Sequence, residues 1–243
     1  MPISAQPSPP LGGTVPARVR HITALRLAPY LGAVHGDTER ALTLYEWNVT
    51  TSAAVYEVLH RFEVGLRNAI DPHLCAWNAI QVDPDTGHQH GGDWLIDPSR
   101  LLSRLAAKAI QDATPRAQRA AGQGRAARAM LHDDVLAATS LGTWRYLLPD
   151  RDAGRRRLWT DAVHQAFPHL PAGANGSDVT AKVKDVLSLR NRVAHLEPLL
   201  NVGRTQRHIG AAYTVASWIG PDLHDWITST QRVTEAMRAR LSI

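Results

Sequence analysis

The stretch that decides the fold is residues 37–71, DTERALTLYEWNVTTSAAVYEVLHRFEVGLRNAID. From Ala41 to Ala69 its apolar and small residues recur at alternating steps of four and three. This 3.5-residue repeat is typical of a helix that packs lengthwise against another helix. Asp37 is a good N-cap for it, since its side chain can accept a hydrogen bond from the first turn. The stretch predicts one long helix, which the dipeptide Asp71-Pro72 kinks or ends.

The rest of the chain shows helical spacing of apolar residues and almost no strand pattern. Period-2 alternation flanked by tight glycine turns is nearly absent. The 243 residues are enough for one sizeable hydrophobic core. We therefore expect a single all-α domain over residues 18–243, preceded by a disordered proline-rich tail at residues 1–17.

Polar and proline-containing segments predict where the later helices begin and end. Residues 81–93 are expected to form a long polar loop. Asp97 followed by Pro98 favours a helix start, because aspartate caps and proline suits the first turn. Residues 114–125 contain a proline and two glycines and indicate a basic loop, and one helix is predicted over about 133–148.

The basic residues are nearly all arginines, although the net charge is only +5. Of 27 basic residues 24 are arginine, whose planar guanidinium suits phosphate groups, although codon bias alone also explains such a total. One segment holds seven bases against a single acid, Asp112, a surplus of +6. We interpret it as an RNA-binding track. Its bases are Arg100, Arg104, Lys108, Arg116, Arg119, Arg125 and Arg128.

Several classes of protein are excluded by composition. No apolar run approaches the roughly 18 residues of a membrane helix, and the start lacks the apolar region of a secretory signal, so we expect a cytoplasmic protein. Cys75 is the only cysteine, which excludes an intramolecular disulfide and argues against a zinc site built on cysteines. His88, His90 and Asp93 could be drawn as a metal site, but a solvated loop is the favoured interpretation. We predict neither a metal nor a cofactor.

The motif with the clearest chemical meaning is residues 189–198, LRNRVAHLEP. It places Arg190 five residues before His195 on an amphipathic helix. An imidazole can act as general base or acid near neutral pH, and a permanent cation can stabilise the charge of a phosphorane. The alternative is a chance spacing with a histidine that hydrogen-bonds locally at the helix end.

The geometry of a straight helix separates the two groups. At about 100° per residue, Arg190 and His195 lie about 140° apart around the axis and do not converge. Either the helix is distorted near Ala194, or a second subunit completes each site. Asn191 and Arg192 lie closer to His195 on the helical wheel, where they could orient the imidazole or hold a phosphate.

Four segments, in this order, resemble the HEPN superfamily in the form carried by abortive-infection (Abi-like) proteins. The resemblance covers about Arg18 to Arg240. The four segments are 41–48 (ALTLYEWN), 62–70 (FEVGLRNAI, with a Glu-x-x-Leu-Arg-Asn signature), 140–144 (SLGTW, small-Gly-x-Trp) and 190–198 (RNRVAHLEP, with Arg-x4-His).

The resemblance implies a bundle of long antiparallel helices that forms a homodimer with a composite active site. It further implies a metal-independent endoribonuclease acting as a toxin or phage-defence effector. His195 would deprotonate the ribose 2′-hydroxyl or protonate the leaving 5′-oxygen, and Arg190 would neutralise the charge on phosphorus, with Asn191 beside them. The products would be a 2′,3′-cyclic phosphate and a 5′-hydroxyl.

The roles of the supporting residues stay open at this point. The family motif selects Arg190, whereas wheel geometry favours Arg192 as the closer neighbour of His195. Arg190 is taken as essential, and supporting roles are assigned to Arg192, Glu63, Arg67 and Asn68. Glu63 and Arg67 have the spacing of a helical ion pair, which is as consistent with fixing the long helix against the motif helix as with catalysis.

Regulation and the alternative functions are also open. Some HEPN toxins carry, two positions after the motif histidine, a tyrosine that a partner nucleotidyltransferase modifies; here Glu197 stands there, so that route is not expected. An antitoxin, either a small RNA or a protein, is expected from the resemblance. The main alternative is a non-catalytic RNA-binding or scaffolding module with the same fold. A DNA-binding regulator is disfavoured, because no helix-turn-helix with a basic second helix is recognisable.

Overall fold

The computed structural model describes residues 17–122 and 128–240. Within them the chain is helical, and its one strand-like pairing is an isolated bridge between Val82 and Gln89. The prediction of an all-α fold is confirmed. The α-helices are α1 Ala24–Ala33, α2 Thr38–Ala79, α3 Arg100–Gly122, α4 His132–Ala138, α5 Leu141–Leu147, α6 Ala153–Asp161, α7 Gly176–Ala194, α8 Val202–Ile219, α9 Pro221–Ser229 and α10 Val233–Arg238, with short 3₁₀ helices at Ala17–His21 and Val163–Ala166.

The long helix α2 is the axis of the fold. The Asp37 carboxylate accepts a hydrogen bond from the Arg40 amide at 3.0 Å, so the predicted cap is confirmed. The prediction of a helix end at Asp71-Pro72 is wrong, because α2 continues past Pro72 for two more turns. Leu74 and Trp77 are buried on the same face as the preceding stripe, and their burial outweighs the hydrogen bond that a proline cannot donate.

The apolar stripe of α2 forms the main core together with α3 to α10. A smaller apolar cluster lies where α1 packs on the first turns of α2. There the Trp47 indole donates a hydrogen bond of 2.8 Å to the Ala236 carbonyl, which ties α2 to α10. No described helix is both long and apolar enough to cross a membrane.

The segment before α3 differs from the expectation in one respect. Residues 81–93 form the predicted polar loop. Asp97, however, does not cap α3, which begins at Arg100. Its carboxylate instead lies 3.1 Å from His88 Nε2 and 2.9 Å from His90 Nδ1. Asp97 thus occupies the place beside the two histidines that the sequence suggested for Asp93. These contacts hold the loop against the start of α3.

Two further predicted boundaries are wrong. Residues 114–122 belong to α3 rather than to a loop, because Ala113, Ala117 and Ala121 continue its buried stripe. The helix predicted over about 133–148 is two helices, α4 and α5, separated by Thr139 and Ser140 in extended backbone. Residues 1–16 of the tail predicted over 1–17, and the basic residue Arg125, lie outside the described residues, and Ala17 belongs to the first 3₁₀ helix.

Candidate active site

The Arg-x4-His motif occupies the last turns of α7, which is firmly capped at its start. The Asn175 side chain accepts a hydrogen bond from the Ser177 amide at 2.8 Å. The Asp178 carboxylate reaches back to the Asn175 amide at 2.8 Å. This reciprocal capping box fixes the register of the helix that carries the motif.

The end of α7 is a tight reversal directly after the motif histidine. The Leu196 amide donates to the Val193 carbonyl at 3.0 Å, and the Glu197 amide donates to the Arg192 carbonyl at 2.8 Å. These two bonds define a Schellman turn, which normally has glycine at the position of positive φ. Here that position is Leu196, with φ of 56°, so the turn carries a side chain in a left-handed conformation.

Arg192 fastens this reversal. Its guanidinium lies 3.3 Å from the Glu197 carboxylate and donates a hydrogen bond to the Pro198 carbonyl. Both partners lie within the segment that follows the helix. The guanidinium of Arg192 is therefore occupied by contacts within this turn, although Arg192 is the closer neighbour of His195 on the helical wheel.

Arg190 has different surroundings. Among the described residues, the one polar contact of its guanidinium is a long bond of 3.5 Å to the neighbouring Asn191 side chain. It lines a polar cleft of about 550 Å³. The other residues of this cleft come from α2, α3 and the α4–α5 segment: Glu63, Ala109, Asp112, Arg116, Ala138, Thr139, Ser140 and Thr143.

His195 and Asn191 are exposed on another side of α7. Among the described residues, the His195 imidazole has no hydrogen-bond partner. The helix is α-helical through Ala194, so the alternative of a distortion that brings Arg190 and His195 together within one chain is wrong. The predicted divergence of the two groups is what the structure shows.

An apolar groove lies beside the motif end, between α2 and α7. It has a volume of about 380 Å³. Tyr56 is 58% exposed, Leu196 65% and Val49 47%, which is unusual for side chains of this size clustered together. The remaining lining residues are Arg26, Tyr45, Asn48, Ser52, Ala53, Val193 and Ala194.

Glu63 binds the turn between α4 and α5. Its carboxylate accepts a hydrogen bond of 2.7 Å from the Leu141 amide, the first of α5. Ser140, the residue in the N-cap position, makes no such side-chain bond. Glu63 therefore caps a helix that begins 78 residues later in the chain.

Arg67 and Asn68 complete this second signature, and the predicted ion pair between Glu63 and Arg67 is not formed within the described residues. Arg67 donates to the Ala137 carbonyl at the end of α4 and to the Asn68 side chain, both at 3.3 Å. The signature thus holds α4 and α5 against α2. Within the described residues its side chains make no hydrogen bond to α7. The alternative that this signature fixes the long helix against the motif helix is therefore not what the structure shows.

Asn48 is a contributor that the sequence analysis did not assign to the site. It is buried, and its side-chain oxygen accepts a hydrogen bond of 2.6 Å from the Leu199 amide. This bond anchors the segment after the motif to α2. The signal was present, since a polar residue in the middle of an apolar stripe requires a partner when it is buried.

The predicted basic track is partly balanced by aspartates from other elements. Arg104 and Arg128 each form two hydrogen bonds with one carboxylate, at 2.9 and 3.0 Å to Asp152 and at 2.6 and 2.8 Å to Asp134. Arg100 pairs with Asp85 at 3.4 Å, and Lys108 with Asp112 at 3.3 Å. Three of these acids, Asp85, Asp134 and Asp152, lie outside the counted segment, so the surplus of +6 along the segment falls to +3 once they are included.

Part of the track nevertheless borders the cleft of Arg190. Arg116 lines that cleft and donates a 2.7 Å hydrogen bond to the Ala138 carbonyl. Arg104 and Lys108 line an adjoining pocket that shares Asp112 with the cleft. Arg119 is exposed in the last turns of α3. The cleft itself is lined by two bases, Arg116 and Arg190, and by two carboxylates, Glu63 and Asp112.

The chain was compared with protein-family models, with curated proteins and with solved structures, and none of the three comparisons found a match.

Proposed function

We propose that this chain is a metal-independent endoribonuclease of the HEPN type that acts as a toxin or phage-defence effector. The observation that carries the proposal is that Arg192, Arg190 and His195 have different surroundings at the end of α7. Arg192 is tied into the turn, whereas Arg190 faces a polar cleft and His195 is exposed with no hydrogen-bond partner among residues 17–122 and 128–240. A cation and an imidazole are thus both left for an external phosphodiester.

The reaction needs no group beyond these side chains. The ribose 2′-oxygen attacks phosphorus and gives its proton to an imidazole, and the 5′-oxygen leaves with a proton supplied by an imidazolium. Arg190 neutralises the charge that develops on the non-bridging oxygens. The products are a 2′,3′-cyclic phosphate and a 5′-hydroxyl, and Asn191 is placed one turn before His195 to orient it.

Arg190 and His195 of one chain do not meet, and a second copy of the chain brings an arginine and a histidine together. A two-fold axis at the exposed end of α7 brings two copies of Asn191 and His195 side by side. The apolar groove with Tyr56, Val49 and Leu196 gives that contact its buried area. The homodimer therefore has two composite sites, each with Arg190 of one chain and His195 of the other.

The same surface is where an antitoxin would act. A small RNA would compete for Arg116 and Arg190 in the cleft, and a protein would cover the exposed motif end. Either partner blocks the site without any change in the fold.

The test is cleavage of a labelled RNA by the tag-free chain in EDTA, read on a gel that resolves binding and cleavage. We expect 2′,3′-cyclic phosphate ends, and a loss of cleavage of at least about 100-fold in His195→Ala with unchanged helical circular dichroism. His169→Ala is the matched control, since His169 is exposed and lies outside the motif. RNA binding without cleavage in the wild type would instead support the scaffolding module, and an active His195→Ala would contradict the proposal.

A further inference from the structure

A cluster of three metal-binding side chains lies away from the motif, between α2 and α4. Asp71 and Cys75 are one helical turn apart on α2, and His132 is the first residue of α4. Their ligand atoms lie within 4.8 Å of one another. Asp71 is buried and the His132 side chain is only 10% exposed. Asp71 is about 12 Å along α2 from Glu63, so the cluster is separate from the candidate active site.

The separations between the ligand atoms match those of a zinc site. Cys75 Sγ lies 3.8 Å from His132 Nε2 and 3.7 Å from Asp71 Oδ2, and the latter two atoms are 3.2 Å apart. A point equidistant from the three atoms is about 2.1 Å from each, close to the bond lengths of zinc to oxygen and nitrogen and slightly short of that to sulfur. A thiolate, an imidazole and a carboxylate are also the donor types that zinc takes in proteins.

We propose that Asp71, Cys75 and His132 form a zinc-binding site. One sulfur, one nitrogen and one oxygen leave the fourth tetrahedral position for water. Binding replaces the thiol proton and any proton on His132 Nε2, so zinc uptake releases protons. The expectation of no metal rested on the absence of a second cysteine, and a mixed ligand set does not need one.

The groups around the cluster hold its ligands in place. The Trp94 indole donates a 2.8 Å hydrogen bond to Asp71 Oδ1, the carboxylate oxygen that is not one of the three ligand atoms. Trp94 is fully buried, and its ring lies edge-on to that of His132 at 6.4 Å between centroids. Such outer contacts orient metal ligands and exclude solvent. The ion links α2 to α4 across 57 residues of chain and therefore stabilises the fold.

The other group of possible metal ligands among the described residues provides a control. His88, His90 and Asp97 also bring ligand atoms together, but His88 is exposed and both carboxylate oxygens of Asp97 are used in closing the loop. His88→Ala removes surface binding by histidines and leaves the proposed ligands untouched. It therefore separates a built site from adventitious binding.

The experiment is metal analysis and cobalt substitution of the tag-free full chain. We expect about one zinc per chain, a higher melting temperature with zinc than with a chelator, and the absorption of a thiolate-ligated tetrahedral cobalt complex. Cys75→Ser and His132→Gln should each lose the zinc and the cobalt spectrum, whereas His88→Ala should keep both. Circular dichroism checks that each variant is folded.

Two results would overturn the proposal. The first is a wild-type chain that binds no more zinc than Cys75→Ser. The second is zinc binding that survives in Cys75→Ser and His132→Gln but disappears in His88→Ala. RNA cleavage is followed separately in folded Cys75→Ser with EDTA present, so that the effect of the chelator on this site is not mistaken for metal-dependent catalysis.

Discussion

At the scale of single residues, Arg190 and Arg192 are two positions apart, but their guanidinium groups make very different contacts. Arg192→Ala removes the contacts to Glu197 and Pro198, and we expect it to lower the free energy of unfolding by about 1–2 kcal/mol. Arg190→Ala removes no strong contact, so stability should hold while cleavage falls by about 100-fold or more. Urea unfolding and RNA cleavage of both variants check this, and a destabilised Arg190→Ala with normal cleavage would reverse the assignment.

His208 on α8 gives the fold a dependence on pH. Burial lowers its pKa from the ordinary value of 6.5; the carboxylate of Asp185 raises it in part, and Arg204, Arg207 and Arg192 lower it further. Because the folded pKa is the lower one, the unfolded chain takes up the proton first as pH falls. Stability is thus complete above about pH 6.5 and is lost as pH falls through the folded pKa.

We therefore expect the change in melting temperature from pH 7 to pH 5 to be less unfavourable in His208→Gln than in the wild type. Although burial opposes it, the hydrogen bond to Asp71 raises the pKa of His132 to about 10, so His132 adds a slope of the opposite sign to both proteins. Burial lowers the pKa of His73 as well, so some slope remains in the variant. Differential scanning calorimetry at several pH values measures both slopes. Equal slopes in the two proteins would show that His208 does not contribute.

At the scale of helices, Glu63 decides whether α5 has a cap. Glu63→Ala leaves the Leu141 amide without its acceptor and should cost about 1–2 kcal/mol of stability. Glu63→Gln keeps an acceptor oxygen at the same reach and should retain most of that stability. If Glu63 only positions α5, cleavage by Glu63→Gln stays within about threefold of the wild type. A stable Glu63→Gln that does not cleave RNA would show instead that the charge of Glu63 takes part in the reaction.

The same contact shows what a sequence can and cannot predict about elements. The stripe in α2 is read from neighbours three and four residues apart, so the helix and its Asp37 cap are predictable. Pro72 and Pro115 suggested ends that the structure does not have, because the burial that carries each helix through its proline comes from other elements. The cap of α5 comes from a glutamate 78 residues away, and no local pattern announces it.

At the scale of the whole molecule, the candidate residues could be located from the sequence, but their contacts could not. The motif and the wheel angle gave Arg190, His195 and their divergence. They could not separate Arg190 from Arg192, because the partners of Arg192 lie beyond the helix end. The charge of the basic track was overestimated for a similar reason, since three of its aspartate partners, Asp85, Asp134 and Asp152, lie outside the counted segment. Cys75 and His132 are 57 residues apart, so only the fold shows that they meet.

The proposed homodimer with composite sites makes a prediction that no single variant can test. Under this proposal, Arg190→Ala and His195→Ala should each inactivate both chains of their own dimers. If cleavage needs Arg190 of one chain and His195 of the other, exchanging the two variants restores one intact combination in each mixed dimer. Because half of randomly exchanged dimers are mixed, activity should recover to about a quarter of the wild-type level. The mixture is assayed on RNA after subunit exchange, with each variant alone as control. No recovery despite exchange, confirmed by native mass spectrometry, would mean that both groups must come from the same chain.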